Sequence, residues 1–116
     1  MANTLKKIIE DKKETLSLIK KNNSLDSLEK KIKSLNFFNN FKEAIQNNRG
    51  ISLISEIKKA SPSAGVLIKD FNHLNIAKMY IDNGATCLSV LTEEKHFLGK
   101  LDYITDIKNK FKIPVL

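Results

Sequence analysis

The chain has 116 residues, of which 41% are hydrophobic and 28% are charged, and its formal net charge is +7. The length suits a single small domain, and the composition is that of a globular rather than a disordered protein. No run approaches the roughly 18 apolar residues that span a bilayer, and the first residues lack the apolar core of a signal peptide. We therefore expect a soluble, cytoplasmic protein with no membrane partner.

The positive charge comes almost entirely from lysine, and Asp or Glu residues lie among most of the lysine groups. This mixture is typical of a solvated helix surface rather than of a groove that follows a nucleic-acid backbone. A positive potential also raises the local concentration of small anionic substrates. The charge is thus compatible with a small anionic substrate but does not by itself choose the partner, and we expect no nucleic-acid partner.

The first half of the chain has the apolar periodicity of helices. Apolar residues from Leu5 to Ile19 recur at a spacing near 3.6. Asp26 and Glu29 resemble a capping box that opens a second helix, which runs to about Leu35. A third helix is predicted from near Phe37 to the polar segment that ends at Gly50. Residues 1–49 are thus predicted to form a helical N-terminal extension.

From residue 50 onward the pattern changes to short apolar strands separated by helices. The predicted strands are Ile51–Ser55, Ala85–Leu91 and Ile113–Leu116. Between them lie helical patterns around residues 74–81 and 101–108. This alternation is typical of parallel βαβ units, so residues 50–116 are predicted to be of the α/β class.

Two architectures fit such units, a doubly wound open sheet and a (β/α)8 TIM barrel. A nucleotide-binding open sheet usually has a glycine-rich turn after its first strand, but residues 56–63 contain no glycine. The barrel is therefore the better prediction. A complete barrel needs about 200–250 residues. We expect three strands and two helices to form only the first part of one, and the chain to be the front of a longer protein.

Polar groups follow the first predicted strand. Alternation along an extended segment places Glu56 and Lys58 on the same side, so that a carboxylate and an ammonium face one pocket. The alternative is an ordinary surface ion pair. Ser61 and Ser63 flank Pro62, where they either contact a ligand or shape a turn.

The extended motif resembles the indole-3-glycerol phosphate synthase family. The resemblance is close over residues 51–116, and the helical first half is similar to the extension that precedes the family's first barrel strand. It is carried by Glu56-Ile57-Lys58-Lys59-Ala60-Ser61-Pro62-Ser63, Gly65, Asp70-Phe71, Ala77, Tyr80, Gly84-Ala85, Ser89-Val90-Leu91-Thr92-Glu93, Phe97, Gly99 and Ile113-Pro114-Val115-Leu116.

The resemblance implies ring closure of carboxyphenylamino-deoxyribulose 5-phosphate, with loss of carbon dioxide and water, to give indole-3-glycerol phosphate in tryptophan biosynthesis. Glu56 and Lys58 match catalytic positions, and Lys58, Ser61 and Phe97 match substrate-binding positions, with Phe97 lining the pocket for the substrate ring. No metal and no organic cofactor are implied. Association with other enzymes of the tryptophan pathway is compatible with the resemblance.

One departure from the family pattern concerns the third strand. In the family this strand runs into Arg-Lys-Asp-Phe or a close relative, whose lysine is a principal general acid, whereas this chain ends at Leu116. The 116 residues alone are therefore predicted to be inactive. Three alternatives are another phosphosugar enzyme on the same barrel, a nucleic-acid-binding module, and a non-catalytic partial barrel that pairs with another chain.

The remaining reactive side chains suggest no further chemistry. The single cysteine, Cys87, lies in an apolar run and is predicted to be a buried, unreactive thiol. His73 and His96 lack the companions of a metal site and are predicted to be surface histidines. Glu93, Glu94 and Lys95 are assigned no catalytic role, with Glu93 only a weak candidate for one, because their loop is predicted to be exposed to solvent.

Overall fold

The computed structural model describes residues 2–116, with side chains from residue 3. They form two compact units that divide between Phe38 and Asn39. The elements in chain order are α1 (Ala2–Asn22), α2 (Leu25–Lys33), α3 (Phe41–Gln46), β1 (Ile54–Ile57), β2 (Ala60–Ser61), β3 (Gly65–Val66), α4 (His73–Asp82), β4 (Cys87–Val90) and α5 (Asp102–Lys110). No helix within residues 2–116 is both long enough and apolar enough to cross a membrane.

The first unit contains the two helices α1 and α2. The sequence correctly predicted the break after Asn22, but it misplaced the cap of α2. Ser24 is the N-cap, and its hydroxyl oxygen accepts a hydrogen bond from the backbone N–H of Ser27 at 3.2 Å. Asp26 instead lies in the first turn, where its negative charge favours the positive end of the helix dipole.

The helix α3 begins later than predicted. Its N-cap is Asn40, whose side-chain oxygen accepts the backbone N–H of Glu43 at 3.0 Å. A capping side chain fixes where a helix starts, so Phe37 and Phe38 precede the helix and do not extend its apolar face. The sequence prediction assigned α3 to an extension over residues 1–49, and in the structure α3 lies within the second unit. The division at residue 49 stays a prediction of domain organisation.

The second unit is organised by parallel strand pairing. β1 pairs with β4 in parallel, with Ile54 opposite Cys87 and Glu56 opposite Ser89. On the other side of β4, Leu88 forms a parallel bridge with Val115. The chain connects β1 to β4 through α4, and β4 to the bridge through α5. The predicted parallel α/β arrangement is confirmed, and these residues do not form a closed barrel.

One face of the sheet is covered by helices. In β1, Ser55 and Ile57 are buried while Ile54 and Glu56 are exposed, as strand alternation requires. The core joins the covered face of the strands to α4 and α5 and contains Ile57, Ile76, Ala77, Leu88, Val90, Ile107 and Ile113. Since registered partners in a parallel pair share a face, Glu56 and Ser89 project from the face opposite this core.

The boundaries of the strands differ from the predicted ones. β1 starts at Ile54 rather than Ile51, and it extends to Ile57. The carbonyl of Leu53 accepts the N–H groups of Thr86 and Cys87, so the pairing that defines the strand begins only there. The segment after β1, predicted as an irregular loop, contains the small hairpin of β2 and β3.

His73 differs from the prediction of a surface histidine. Its side chain is only 18% exposed, and its Nε2 lies 2.8 Å from Oδ2 of Asp106. The imidazole also stacks on Tyr103 with ring centroids 4.4 Å apart. His73 is the first residue of α4, and Asp106 and Tyr103 lie on α5. The polar contact and the ring stacking therefore link the two helices.

Candidate active site

The end of β1 carries the ion pair expected from the sequence. The ammonium Nζ of Lys58 lies 3.1 Å from Oε1 of Glu56, a distance that permits a charge-assisted hydrogen bond. Their side chains are 34% and 47% exposed, respectively. The two groups therefore share one side of the strand end, as predicted, and remain accessible to a ligand.

The backbone at the end of β1 is hydrogen-bonded to a side chain of α4. The hydroxyl of Tyr80 donates a hydrogen bond to the backbone carbonyl oxygen of Glu56 at 2.9 Å. A side-chain donor on that carbonyl restricts the strand end from which the Glu56 carboxylate projects. Tyr80 had no predicted role of its own, since only the fold brings it next to a residue 24 positions away.

Ser61 lies in the hairpin that follows this pair. Its hydroxyl oxygen accepts the backbone N–H of Ala64 at 3.2 Å and lies 3.4 Å from the hydroxyl of Ser63. Gly65, with a φ of +68°, completes the turn. The turn-shaping role weighed for Ser61 is therefore present in the structure, and its role in substrate binding stays a prediction.

The loop after β4 contains Phe97 and is organised by Glu93. The carboxylate of Glu93 accepts three backbone N–H groups, from Lys95 at 3.0 Å, His96 at 2.7 Å and Phe97 at 3.1 Å. Burial alone would raise the pKa of Glu93, but the backbone donors and nearby His96 outweigh it and hold the pKa below its usual value of 4.5. Phe97 itself is half-buried.

Gly99 ends this loop in a space that admits no side chain. A Cβ at this position would lie 2.1 Å from the carbonyl oxygen of Leu91, which is backbone and cannot swing away. We expect Gly99→Ala to lower the free energy of unfolding by about 1–3 kcal/mol, the usual cost of overpacking. Urea unfolding followed by circular dichroism measures this loss.

The matched control for that substitution is Gly50→Ala. Apart from the two chain neighbours of Gly50, none of the residues that the structure describes has an atom within 4 Å of a Cβ built there, so the same added methyl group meets open space. We expect its unfolding free energy to stay within about 0.5 kcal/mol of the unsubstituted chain. Equal losses in both variants would contradict the steric account of Gly99.

A cavity of about 510 Å³ lies between the loops that follow β1 and β4. None of Glu56, Lys58, Ser61 and Phe97 lines it, although Lys59 and Leu98 are chain neighbours of two of them. It is lined by Lys59, Glu94, Leu98, Gly99, Lys100, Leu101 and Asp102. None of these residues had a predicted role, although Lys59 and Gly99 belong to the motif that resembles the family.

The other reactive side chains are arranged as follows. Cys87 is fully buried, as predicted, and its burial raises the pKa of the thiol. His96 is half-buried within the loop after β4. Within residues 2–116, no group of three or more His, Cys, Asp or Glu side chains is placed to hold a metal ion.

Comparison with known families agrees with this arrangement. The family described as indole-3-glycerol phosphate synthase matches residues 5–116 of the chain, a match that includes the ion pair, the hairpin and the loop of Glu93. The chain belongs to the indole-3-glycerol phosphate synthase family. The resemblance drawn from the sequence is thereby confirmed.

Individual relatives give the same result. Indole-3-glycerol phosphate synthase of Desulforamulus reducens is 44% identical over 112 residues, covering 97% of this chain and 42% of the relative. The synthase of Clostridium acetobutylicum is 46% identical over 110 residues, covering 94% and 42%. That of Legionella pneumophila strain Paris is 43% identical over 116 residues, covering 100% and 44%. The chain thus spans less than half the length of these synthases.

Proposed function

We propose that this chain supplies the first part of an indole-3-glycerol phosphate synthase, a carboxy-lyase of tryptophan biosynthesis. The reaction closes the pyrrole ring of carboxyphenylamino-deoxyribulose 5-phosphate and releases carbon dioxide and water. The observation that carries the proposal is the Glu56–Lys58 pair, 3.1 Å apart at the end of β1, in a chain that matches the family from residue 5 to residue 116.

In this proposal, β1, β4 and the segment around Val115 are the first three strands of a (β/α)8 barrel. Their parallel pairing and their connection through α4 and α5 support it. The face that carries Glu56 would be the barrel interior, because the opposite face already packs on helices. Residues 1–49 would form the helical extension before the first strand.

Lys58 is the proposed proton donor and anion-binding group. Its ammonium can hold a substrate carboxylate or phosphate, and it can protonate the oxygen that leaves as water. Glu56 forms an ion pair with the Lys58 ammonium at 3.1 Å and holds this charge on the shared side of the strand end. The hydrogen bond from the Tyr80 hydroxyl to the Glu56 backbone carbonyl restricts the backbone of Glu56.

Ser61 and Phe97 are the proposed substrate contacts in the two loops. The Ser61 hydroxyl lies in a hairpin directly after the ion pair and can donate to an anionic substrate group. The Phe97 ring can stack on the aromatic ring of the substrate. The two loops follow adjacent parallel strands, so they lie at the same edge of the sheet.

The proposal is tested with a fused barrel, in which this chain is followed by the part of the Clostridium acetobutylicum relative that lies beyond the matched region. We expect the purified fused barrel to convert carboxyphenylamino-deoxyribulose 5-phosphate, as followed by the indole fluorescence of the product. The relative's part without this chain is the control and should be inactive. A fused barrel that has the circular dichroism of a folded α/β protein but no activity would refute the proposal.

A further inference from the structure

The carboxylate of Glu93 accepts three backbone hydrogen bonds from the loop that follows β4. One of its oxygens accepts the N–H of Lys95, and the other accepts those of His96 and Phe97. A carboxylate that accepts several backbone donors is stabilised as the anion and is a poor proton acceptor. Glu93 is therefore unsuited to acid–base chemistry, and its contacts instead order the backbone of residues 95–97.

The same residue also fastens the far end of the loop. The backbone carbonyl of Glu93 accepts the N–H of Gly99 at 2.8 Å. Leu98 lies between Phe97 and Gly99, the two residues whose N–H groups bond to Glu93. It adopts a φ of +53°, a conformation that a leucine rarely takes. The N–H of Phe97 is therefore bound by the Glu93 side chain, and two residues later the N–H of Gly99 is bound by the Glu93 carbonyl. These two hydrogen bonds leave the backbone of Phe97 little freedom.

We propose that Glu93 is a positioning residue that sets the Phe97 ring for contact with the aromatic ring of the substrate. This inference rests on the proposed function, in which Phe97 contacts that ring. Glu93 acts through the backbone N–H of Phe97 and does not itself touch the substrate. Its neighbour Glu94 is exposed and lines the cavity, so the two adjacent glutamates have different surroundings.

The structural half of the proposal is tested by Glu93→Gln. The glutamine amide presents an N–H₂ group where a carboxylate oxygen accepted backbone N–H, so at least one contact becomes a meeting of two donors. We expect the amide hydrogens of His96 and Phe97 to exchange about 10 to 100 times faster in NMR spectra, because each hydrogen bond was made to a charged acceptor. Exchange in the core, at Leu88 and Val90, should not change.

Acid pH provides a second readout. Because the pKa of folded Glu93 is lowered, its contribution to loop order is complete above the usual glutamate value of 4.5 and is lost as the pH falls through the lower folded pKa. The ring signals of Phe97 should titrate below pH 4.5 in the unsubstituted chain. This titration should be absent in Glu93→Gln and partly retained in Glu93→Asp, which keeps a carboxylate on a shorter side chain.

The control is Glu94→Gln, which removes the same charge from the adjacent position. We expect this variant to keep both the slow amide exchange and the Phe97 titration. The spectra are recorded on the 116-residue chain and on the fused barrel, so the result does not depend on how the chain behaves alone. Equal exchange in Glu93→Gln and Glu94→Gln, or a Phe97 titration that persists in Glu93→Gln, overturns the proposal.

The functional half is tested by steady-state kinetics of the fused barrel. If Glu93 places the Phe97 ring, Glu93→Gln should raise KM about five- to tenfold and change kcat by less than about twofold, since an aromatic contact is loosened but the proton donor is intact. A loosened loop with unchanged KM means that Glu93 only orders the backbone, and it overturns the positioning role. An inactive unsubstituted fused barrel refutes the proposed function instead, whatever the exchange data show.

Discussion

Replacing Lys58 with methionine in the fused barrel is expected to lower kcat at least about 100-fold, because a positioned proton donor contributes roughly 10²- to 10⁴-fold to a rate. Methionine keeps most of the length of the side chain and removes the ammonium that lies 3.1 Å from Glu56. The measurement is the initial rate of indole-3-glycerol phosphate formation at saturating substrate. Circular dichroism establishes that the variant is folded.

The control for that substitution is Lys69→Met, which removes an exposed ammonium from the segment before α4. Its kcat should stay within about twofold of the unsubstituted enzyme, since isolated surface charges contribute little. If Lys58→Met is as active as Lys69→Met, then Glu56 and Lys58 form an ordinary surface ion pair, and the catalytic assignment is wrong.

The second large effect is expected in the core. Ile107 is fully buried on α5 and packs in the cluster that joins the helices to β1 and β4. Ile107→Ala should lower the free energy of unfolding by about 2–5 kcal/mol, because the lost methylene and methyl contacts leave a cavity. Urea unfolding of the chain, and of the fused barrel, measures this difference.

Lys108→Ala serves as the matched control on the same helix. Lys108 is exposed, so its removal should change the unfolding free energy by less than about 0.5 kcal/mol. A similar loss in both variants would contradict burial of Ile107 as the cause, since alanine has a higher helix propensity than either residue and propensity alone would produce no loss. A loss confined to Ile107→Ala agrees with tertiary packing of the apolar face of α5 as the main source of stability.

The helices and the parallel strands could be predicted because their signals are local. The break at Asn22, the helix that ends before Gly84 and the alternation of strands with helices follow from apolar spacing and from breaker residues. The same-side placement of Glu56 and Lys58 was predictable for the same reason, since the two-residue period of a strand is a local property.

Several boundaries were misplaced because a competing contact decided them. Ser24 rather than Asp26 caps α2, and Asn40 delays the start of α3, although the apolar pattern fits an earlier start. β1 begins at Ile54 because the pairing with β4 begins there. An apolar pattern indicates that a helix exists. The residue at which the helix starts is fixed by the side chain that accepts hydrogen bonds from its first N–H groups.

The sequence by itself determined the family, the parallel α/β arrangement and the residue types at the end of β1, since all of these are encoded in local pattern and motif. Tertiary structure alone decided which distant groups support them. It brings the hydroxyl of Tyr80 to the carbonyl of Glu56, stacks His73 on Tyr103, and folds the loop of Glu93 so that one carboxylate holds three backbone N–H groups. The physical reason is that these contacts depend on how the helices cross over the sheet and on the conformation of a loop. Neither feature produces a periodic spacing of apolar residues in the sequence.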